Sequence, residues 1–314
     1  MWTSAVALED VLSLVLTRVK LDSFLTCAFD VGGKSAIVFP RAEALRFKVI
    51  LQGECWLSVE GDDTCYRLRA GDCFLVSHGR SFVLSTRKSD NQTVYAENLI
   101  HSRNEDGVIV HEGGGDILSI GSVFKFQGHF SRLILKSLPP VIHLPSDLDQ
   151  AAVLRWSLER FGAEFRGTAA GRALMMGNLA PIILLQTLRV YARLTPAKES
   201  WLIALSHPKL SKAIEAMHAD CGRKWTVASL AAISGMSRAG FAQNFKKYVG
   251  AAPKEYLLYW RMQVACNLLE KGELASAEIA HEVGYESESA FSSAFKKVLG
   301  LRPGRYVSDR TGLA

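Results

Sequence analysis

No run of apolar residues in this 314-residue chain is long enough to cross a bilayer. The longest candidates are VLSLVL near the N-terminus and the stretch Leu179–Leu185, and both are far too short. Residues 1–20 have no early basic region and carry Glu9-Asp10, so neither a secretory signal nor a membrane anchor is expected and a cytoplasmic location is. Its six cysteines, Cys27, Cys55, Cys65, Cys73, Cys221 and Cys266, form no CxxC pair and no metal-ligand spacing. They read as reduced, mostly buried thiols. The sequence offers no catalytic residues, no metal site and no cofactor motif. What remains is a composition of 48% hydrophobic and 22% charged residues, that of a soluble globular protein with room for two domains.

Charge is distributed unevenly. From His207 to the end, 15 Lys+Arg face 10 Asp+Glu, whereas the preceding 206 residues carry 22 against 21. The basic excess sits on the C-terminal part, as a polyanion partner there requires. The same part contains one motif written twice, running from Leu230 to Tyr256 and again from Ile279 to Tyr306. Gly235 matches Gly284 at an offset of 49. Phe241, Phe245, Lys246-Lys247, Gly250, Pro253 and Tyr256 match Phe291, Phe295, Lys296-Lys297, Gly300, Pro303 and Tyr306 at an offset of 50. One extra residue in the turn accounts for the slip.

Each copy predicts a short helix ending at a glycine, a turn, and a second helix, at about 226–247 and 276–297. Thr226 is the expected N-cap of the first helix, and Ser237 and Ser287 those of the second helices. The paired Phe residues at i and i+4 face a core. The layout is that of a helix-turn-helix, whose second helix enters the major groove of double-stranded DNA. The groove-facing candidates are then Arg238, Ala239, Ala242, Gln243 and Lys246 in the first copy, and Glu288, Ser289, Ser292, Ser293 and Lys296 in the second. Arg238 and Gln243 have the chemistry to bond guanine and adenine. Lys246, Lys247, Lys296 and Lys297 suit phosphates. Residues 253–269 read as one long helix that starts at proline and joins the two copies.

Upstream, residues 20–140 alternate short apolar runs with Gly and Asp turns, as in Arg46-FKVILQG, Cys55-WLSVEG, Cys65-YRLRAG, Cys73-FLVSHG and Ser81-FVLST. That spacing predicts an antiparallel sandwich or small barrel. Residues 147–197 change to helical periodicity, with Gly162, Gly167 and Gly171 dividing two helices and Thr195-Pro196 ending the second. The second helix is apolar on more than one face and is expected to be buried or shared with a second subunit. The resulting fold class is α+β. Expected boundaries are a β-rich domain at 1–145, a helical dimerisation segment at 146–200 and a DNA-binding domain at 207–308.

Residues 209–308 resemble the DNA-binding domain of AraC/XylS-type transcription regulators. The resemblance is carried by Ile279-Ala280, Val283-Gly284-Tyr285, Phe291, Phe295-Lys296-Lys297, Gly300, Pro303 and Tyr306, with support from Leu268-Leu269 and Pro253-KEYL. Gly53-ECWLSVEG, Leu68-RAGDCFLVSHG and Leu138-PPVIHLP resemble the cupin-type sensor domain of one branch of that family. The resemblance implies a homodimeric, cytoplasmic regulator of promoter DNA, with RNA polymerase as a further partner if it activates. Metal-binding cupins cluster histidines around these glycine motifs. Here residues 53–61 have none, His78 stands alone, and Phe82 replaces a common histidine. Ser293 stands where relatives usually carry arginine, and Gly240 lies in the first reading helix.

A barrel mouth is a common small-ligand site. Its candidate lining is Phe47, Val49, Trp56, Phe74 and Phe82, with His78 or Arg80 as polar anchor. The leading reading is a one-component, effector-responsive regulator. The alternatives are a metal-dependent cupin enzyme fused to a DNA-binding tail, and a regulator controlled by a protein partner or by cysteine oxidation.

Overall fold

In a computed structural model, the described residues are 10–311 except 20, 26–27, 90, 127–128, 149–150 and 197. Cys27 and the first nine residues lie outside them. The strands are β1 (Leu21–Leu25), β2 (Ala28–Val31), β3 (Ser35–Phe39), β4 (Leu45–Val59), β5 (Cys65–Arg69), β6 (Cys73–Val76), β7 (Phe82–Ser85), β8 (Gln92–Tyr95), β9 (Val108–His111), β10 (Ile117–Phe126) and β11 (Val141–Leu144). Helices α1 (Val11–Arg18) and α2 (His129–Ser137) flank most of them, and α3 (Ala152–Arg166) and α4 (Arg172–Leu194) follow. The rest is helical: α5 (Trp201–Ser206), α6 (Leu210–Ala219), α7 (Val227–Ile233), α8 (Arg238–Val249), α9 (Pro253–Lys271), α10 (Ser276–Glu282), α11 (Glu288–Leu299) and α12 (Pro303–Thr311).

The sequence suggested two strands broken at Gly53, and the structure has one, β4. Opposite it on β10, Leu118 pairs with Gln52 and Ser119 with Ile50, so Leu51 is an inserted residue. The bulge switches the alternation of side chains. Ile50 is in the barrel core before it, and Cys55, Leu57 and Val59 are in the core after it. The first half of β4 pairs with β6 and β10, the second half with β5 and β7. Gly53 (φ 81°) permits the bend, because a β-carbon there would lie 1.7 Å from the Asp116 carbonyl oxygen.

The sheet runs β8-β3-β7-β4-β10-β2-β9, with β1 on β10, β5 on β4, and β6 between β4 and β11. Most neighbours are antiparallel, but β2–β9 and β3–β8 are parallel. The barrel is therefore a curled mixed sheet rather than an antiparallel one. The long connections between these partners allow parallel pairing. Among the described residues no pairing joins β8 to β9, which leaves the curl open. Phe29, Ile37, Phe39, Ile50, Leu57, Leu68, Phe74, Val76 and Phe82 belong to the core that fills it.

Gly162 does not divide helices as the sequence suggested. It lies inside α3, where a β-carbon would press on Leu51 at 2.9 Å. Its lack of a side chain lets α3 approach the sheet. Gly167 caps α3, Gly171 (φ 84°) precedes α4, and Thr195 caps the end of α4. By length and composition α4 could cross a membrane, but it packs against α3, β1 and β11 as a core helix does.

The described chain divides into two compact units that differ from the boundaries expected from sequence. One comprises Leu21–Lys125 and Leu138–Pro196, so the helical segment belongs with the sheet. The other comprises α1, α2 and the residues after Pro196. In that unit α1 packs on α6 and α9, and α2 on α5, α8 and α9. The reason is apolar burial: Phe130 of α2 is fully buried, with its ring 5.0 Å from Trp260 and 5.2 Å from Tyr256.

Candidate nucleic-acid interface

The duplicated motif folds as two copies of a three-helix unit, α7-α8-α9 and α10-α11-α12. The first helix of each ends in the same pair of hydrogen bonds. Met236 N–H donates to Ala231 O (2.9 Å) and Gly235 N–H to Ala232 O (3.0 Å). Their counterparts are Tyr285 to Ala280 and Gly284 to His281, both 2.9 Å. The glycine between them is left-handed in each, with φ 59° at Gly235 and 80° at Gly284. The helix starts follow expectation. Thr226 and Ser229 cap α7 reciprocally, Ser237 accepts from Gly240 N–H, and Ser287 accepts from Ala290 N–H. One residue lies between Gly235 and its serine cap and two lie between Gly284 and its own, which places the slip at Tyr285-Glu286.

Three aromatic residues hold each unit. Phe241 and Phe245 lie 5.4 Å apart and Phe245 meets Tyr256 edge-on at 5.5 Å. The second copy gives 5.5 Å for Phe291–Phe295 and 5.6 Å for Phe295–Tyr306. All four Phe rings are fully buried. Pro253 and Pro303 open the third helices, where proline's missing N–H costs nothing. The linking helix α9 does more than join the two copies. Arg261 donates to the carbonyls of Cys221 (2.7 Å) and Arg223 (2.9 Å), and its guanidinium lies 5.7 Å from the Tyr285 ring. Nothing in the sequence marked it, because its partners are backbone atoms about 40 residues earlier and a ring in the second turn.

With the Phe pairs inside, the opposite faces of α8 and α11 are open. Ser237, Arg238, Ala239, Gln243, Lys246 and Lys247 are exposed and Ala242 half-buried. Ser287, Glu288, Ser289, Ser293, Lys296 and Lys297 are exposed and Ser292 half-buried. The structure thus brings each predicted set onto one helix face. The sets differ in what their side chains already do. Among the described residues, those of Arg238, Gln243, Lys246, Lys296 and Lys297 make no hydrogen bond or ion pair. Ser293, in contrast, donates to Ser289 O (2.9 Å), and Ser289 Oγ lies 3.1 Å from Ser287 Oγ. Lys247 is engaged as well, its ammonium 2.9 Å from Glu199. Gly240 is the third residue of α8, against the Ser237 cap, rather than in the helix interior.

A polar cluster that sequence reasoning missed lies under α8. Trp201 donates its indole N–H to the Tyr256 hydroxyl (3.1 Å), which shares a 2.8 Å hydrogen bond with His218 Nε2. His218 stacks on Trp260 at 3.8 Å. Burial, with a smaller effect from the Arg18 charge, pushes its pKa down to about 3, so the ring is neutral.

The seven residues expected to line a barrel-mouth site are not brought together. Phe74 and Phe82 belong to the core inside the barrel. Phe47 and Val49 alternate with Lys48 and Ile50 on β4 and face the other side. Lys48 points inward, its ammonium 4.7 Å from both the Phe29 and Phe39 rings. Trp56 is half-buried on the outer face, beside Arg67 and Lys88. His78 is exposed in a turn at φ 58°, and Arg80 donates to Glu60 O (2.6 Å). Asp72, which the sequence did not single out, does organise the unit. It accepts from Ser146 N–H (2.8 Å) and Arg69 N–H (3.1 Å) and lies 3.2 Å from His143 Nε2. Burial pushes its carboxyl up, but these bonds outweigh that and hold it below its usual value. The thiols of Cys55 and Cys73 are pushed up to about 12 by burial, which leaves them unreactive. Among the described residues no group of three or more His, Cys, Asp or Glu could hold a metal ion.

Comparison with known proteins finds two family matches along the chain. The cupin family matches residues 10–193 and the helix-turn-helix domain family residues 230–309. A putative AraC-like transcription regulator of Streptomyces antibioticus is 38% identical over 304 residues, covering 95% of this chain and 97% of that relative. The HTH-type transcriptional regulator AlkR of Acinetobacter baylyi is 29% identical, covering 95% and 98%. Among solved structures, fatty-acid-bound ToxT of Vibrio cholerae is 15% identical with a TM-score of 0.36, covering 93% of this chain and 97% of that one.

Proposed function

The chain belongs to the AraC-type family of DNA-binding transcription regulators, and from that premise we propose that α8 and α11 are its two DNA-reading helices and that they read unequally. The observation that carries this is the difference in side-chain commitment. Arg238 and Gln243 on α8 are exposed and unbonded among the described residues, and they can make bidentate contacts to guanine and adenine. On α11 the matching positions are Glu288 and Ser293, an acid and a hydroxyl already bonded to its own helix. Base specificity comes from α8. In α11 the Lys296-Lys297 pair and the N-terminus anchor the protein to phosphates.

The partner is double-stranded promoter DNA, with RNA polymerase as a second partner where the regulator activates. Two copies pair through the exposed apolar residues of α3 and α4. Trp156 is 59% exposed and Leu174 73% exposed, beside Val153, Met175 and Ile182. A cytoplasmic location and an effector sensed by the N-terminal unit complete the reading. Binding-site selection with variants tests the asymmetry. Arg238→Ala and Gln243→Ala are each expected to cost about 1–3 kcal/mol of base discrimination. Ser292→Ala and Ser293→Ala should leave sequence preference nearly intact. The opposite ranking would sink the assignment.

A further inference from the structure

Ile50, Cys55, Leu57, Leu68, Phe74 and Val76 are all fully buried in one core inside the barrel. Space exists on the other side of the sheet. Between β4, β6, β11 and α3 lies a pocket of about 210 Å³. Its walls are Val49, Leu51, Leu144, Leu154 and Leu158, with the glycine of α3, Gly162, in its lining. Apolar cavities of about 150 Å³ hold a benzene ring, so this one takes a ring with a short tail.

The polar groups of the lining give the ligand its charge. Arg155 and Arg166 are both there, against one acid, Glu159. Among the described residues neither arginine has an acidic partner within ion-pair distance. Arg155 uses one N–H on Leu148 O at 3.0 Å. The Arg166 guanidinium folds back over Gly162, 3.6 and 3.7 Å from where a β-carbon would sit. That position also lies 2.9 Å from Leu51, so the cation borders the apolar wall. Two arginines with no acidic partner among the described residues, beside a greasy pocket, match an anion with an apolar body, and the planar fork of arginine favours a carboxylate.

We propose that this pocket between the sheet and α3 is the effector site of the chain, and that it takes a small monocarboxylic acid with an apolar body of about eight carbons. The inference rests on the reading of the chain as an effector-responsive regulator. It explains how a ligand reaches the exposed residues of α3. The helix presents Leu154 and Leu158 to the pocket and Val153 and Trp156 to solvent, so a ligand that shifts α3 shifts that surface.

Titration calorimetry on the full chain tests it, with 3-phenylpropanoate as probe and 3-phenylpropan-1-ol as its uncharged counterpart. The acid is expected to bind at least ~10-fold more tightly than the alcohol. Arg155→Gln and Arg166→Gln should each weaken the acid about 10-fold and leave the alcohol unchanged. Leu158→Trp, which fills the pocket, should remove both, with a thermal melt confirming that the variant folds. Equal binding of acid and alcohol, unchanged affinity in both arginine variants, or no binding of either probe overturns the proposal. Gel shifts on promoter DNA without acid separate the two readings. Retained DNA binding with no acid binding removes only this site, whereas loss of DNA binding in the unsubstituted protein removes the regulator reading itself.

Discussion

Four lysines end α8 and α11, and in the sequence nothing separates them. The structure does. Lys247 faces Glu199, whose hydrogen bond and charge raise the ammonium pKa, while Lys246, Lys296 and Lys297 have no such partner among the described residues. Exposed ion pairs are weak, yet a lysine must leave its pair to reach a phosphate. In gel shifts over a range of salt concentrations, Lys246→Ala, Lys296→Ala and Lys297→Ala should each reduce the slope of log affinity against log salt by about 1. Lys247→Ala should reduce it less. An equal reduction for all four would show that the Glu199 contact has no bearing on DNA. The same scale explains what the sequence could not show for the sensor. Phe47, Val49, Trp56, Phe74 and Phe82 look alike as apolar residues on strands. Which face Phe47, Val49 and Trp56 occupy depends on the parity of β4, and the bulge at Leu51 reverses that parity.

The two glycine turns look equivalent as elements, and both glycines have positive φ. Their surroundings differ. A β-carbon on Gly235 meets nothing within 4 Å, whereas one on Gly284 would lie 2.2 Å from the Gly222 carbonyl oxygen and 2.6 Å from Arg261. Gly235→Ala should cost about 1 kcal/mol, the penalty for a left-handed alanine. Gly284→Ala should cost roughly 3 kcal/mol or more, because a backbone carbonyl cannot move aside cheaply. Urea denaturation of the two variants measures both, and similar costs would refute the close approach. Repeat periodicity located both turns from sequence alone. That the second turn is packed against residues 221–223 was not legible, since the contact joins segments about 60 residues apart.

At the scale of the molecule, the C-terminal unit gathers α1 and α2 from the sequence that surrounds the sheet. Gln263 and Asn267 of α9 donate to the Arg18 carbonyl at 2.9 and 3.0 Å, and Phe130 enters the cluster around His218. That cluster makes stability depend on pH. The folded pKa of His218 is near 3, against 6.5 for a free imidazole, so below 6.5 the unfolded chain takes up a proton that the folded chain refuses. The His218 contribution is present in full above pH 6.5 and is lost as pH falls from 6.5 towards 3. The slope is at most about 1.4 kcal/mol per pH unit. Denaturation curves from pH 7.5 to 5 should therefore be steeper in pH for the unsubstituted protein than for His218→Gln. Parallel slopes would mean that the imidazole is already protonated, or is solvated, in the folded state.

The sequence by itself determined the repeat, its glycine turns and serine caps, the inward Phe pairs, the exposed faces of α8 and α11 and the family. Each of these follows from periodicity or local turn chemistry within a few residues, which a linear string records. The tertiary structure alone decided that β4 is one bent strand, that parallel pairs make the sheet mixed, and that α1 and α2 leave the sensor segment. It also decided that the expected lining residues divide between two faces and that a pocket opens beneath α3. These depend on which apolar surfaces meet across long separations, and burial is a non-directional force whose outcome is settled only when the whole chain packs.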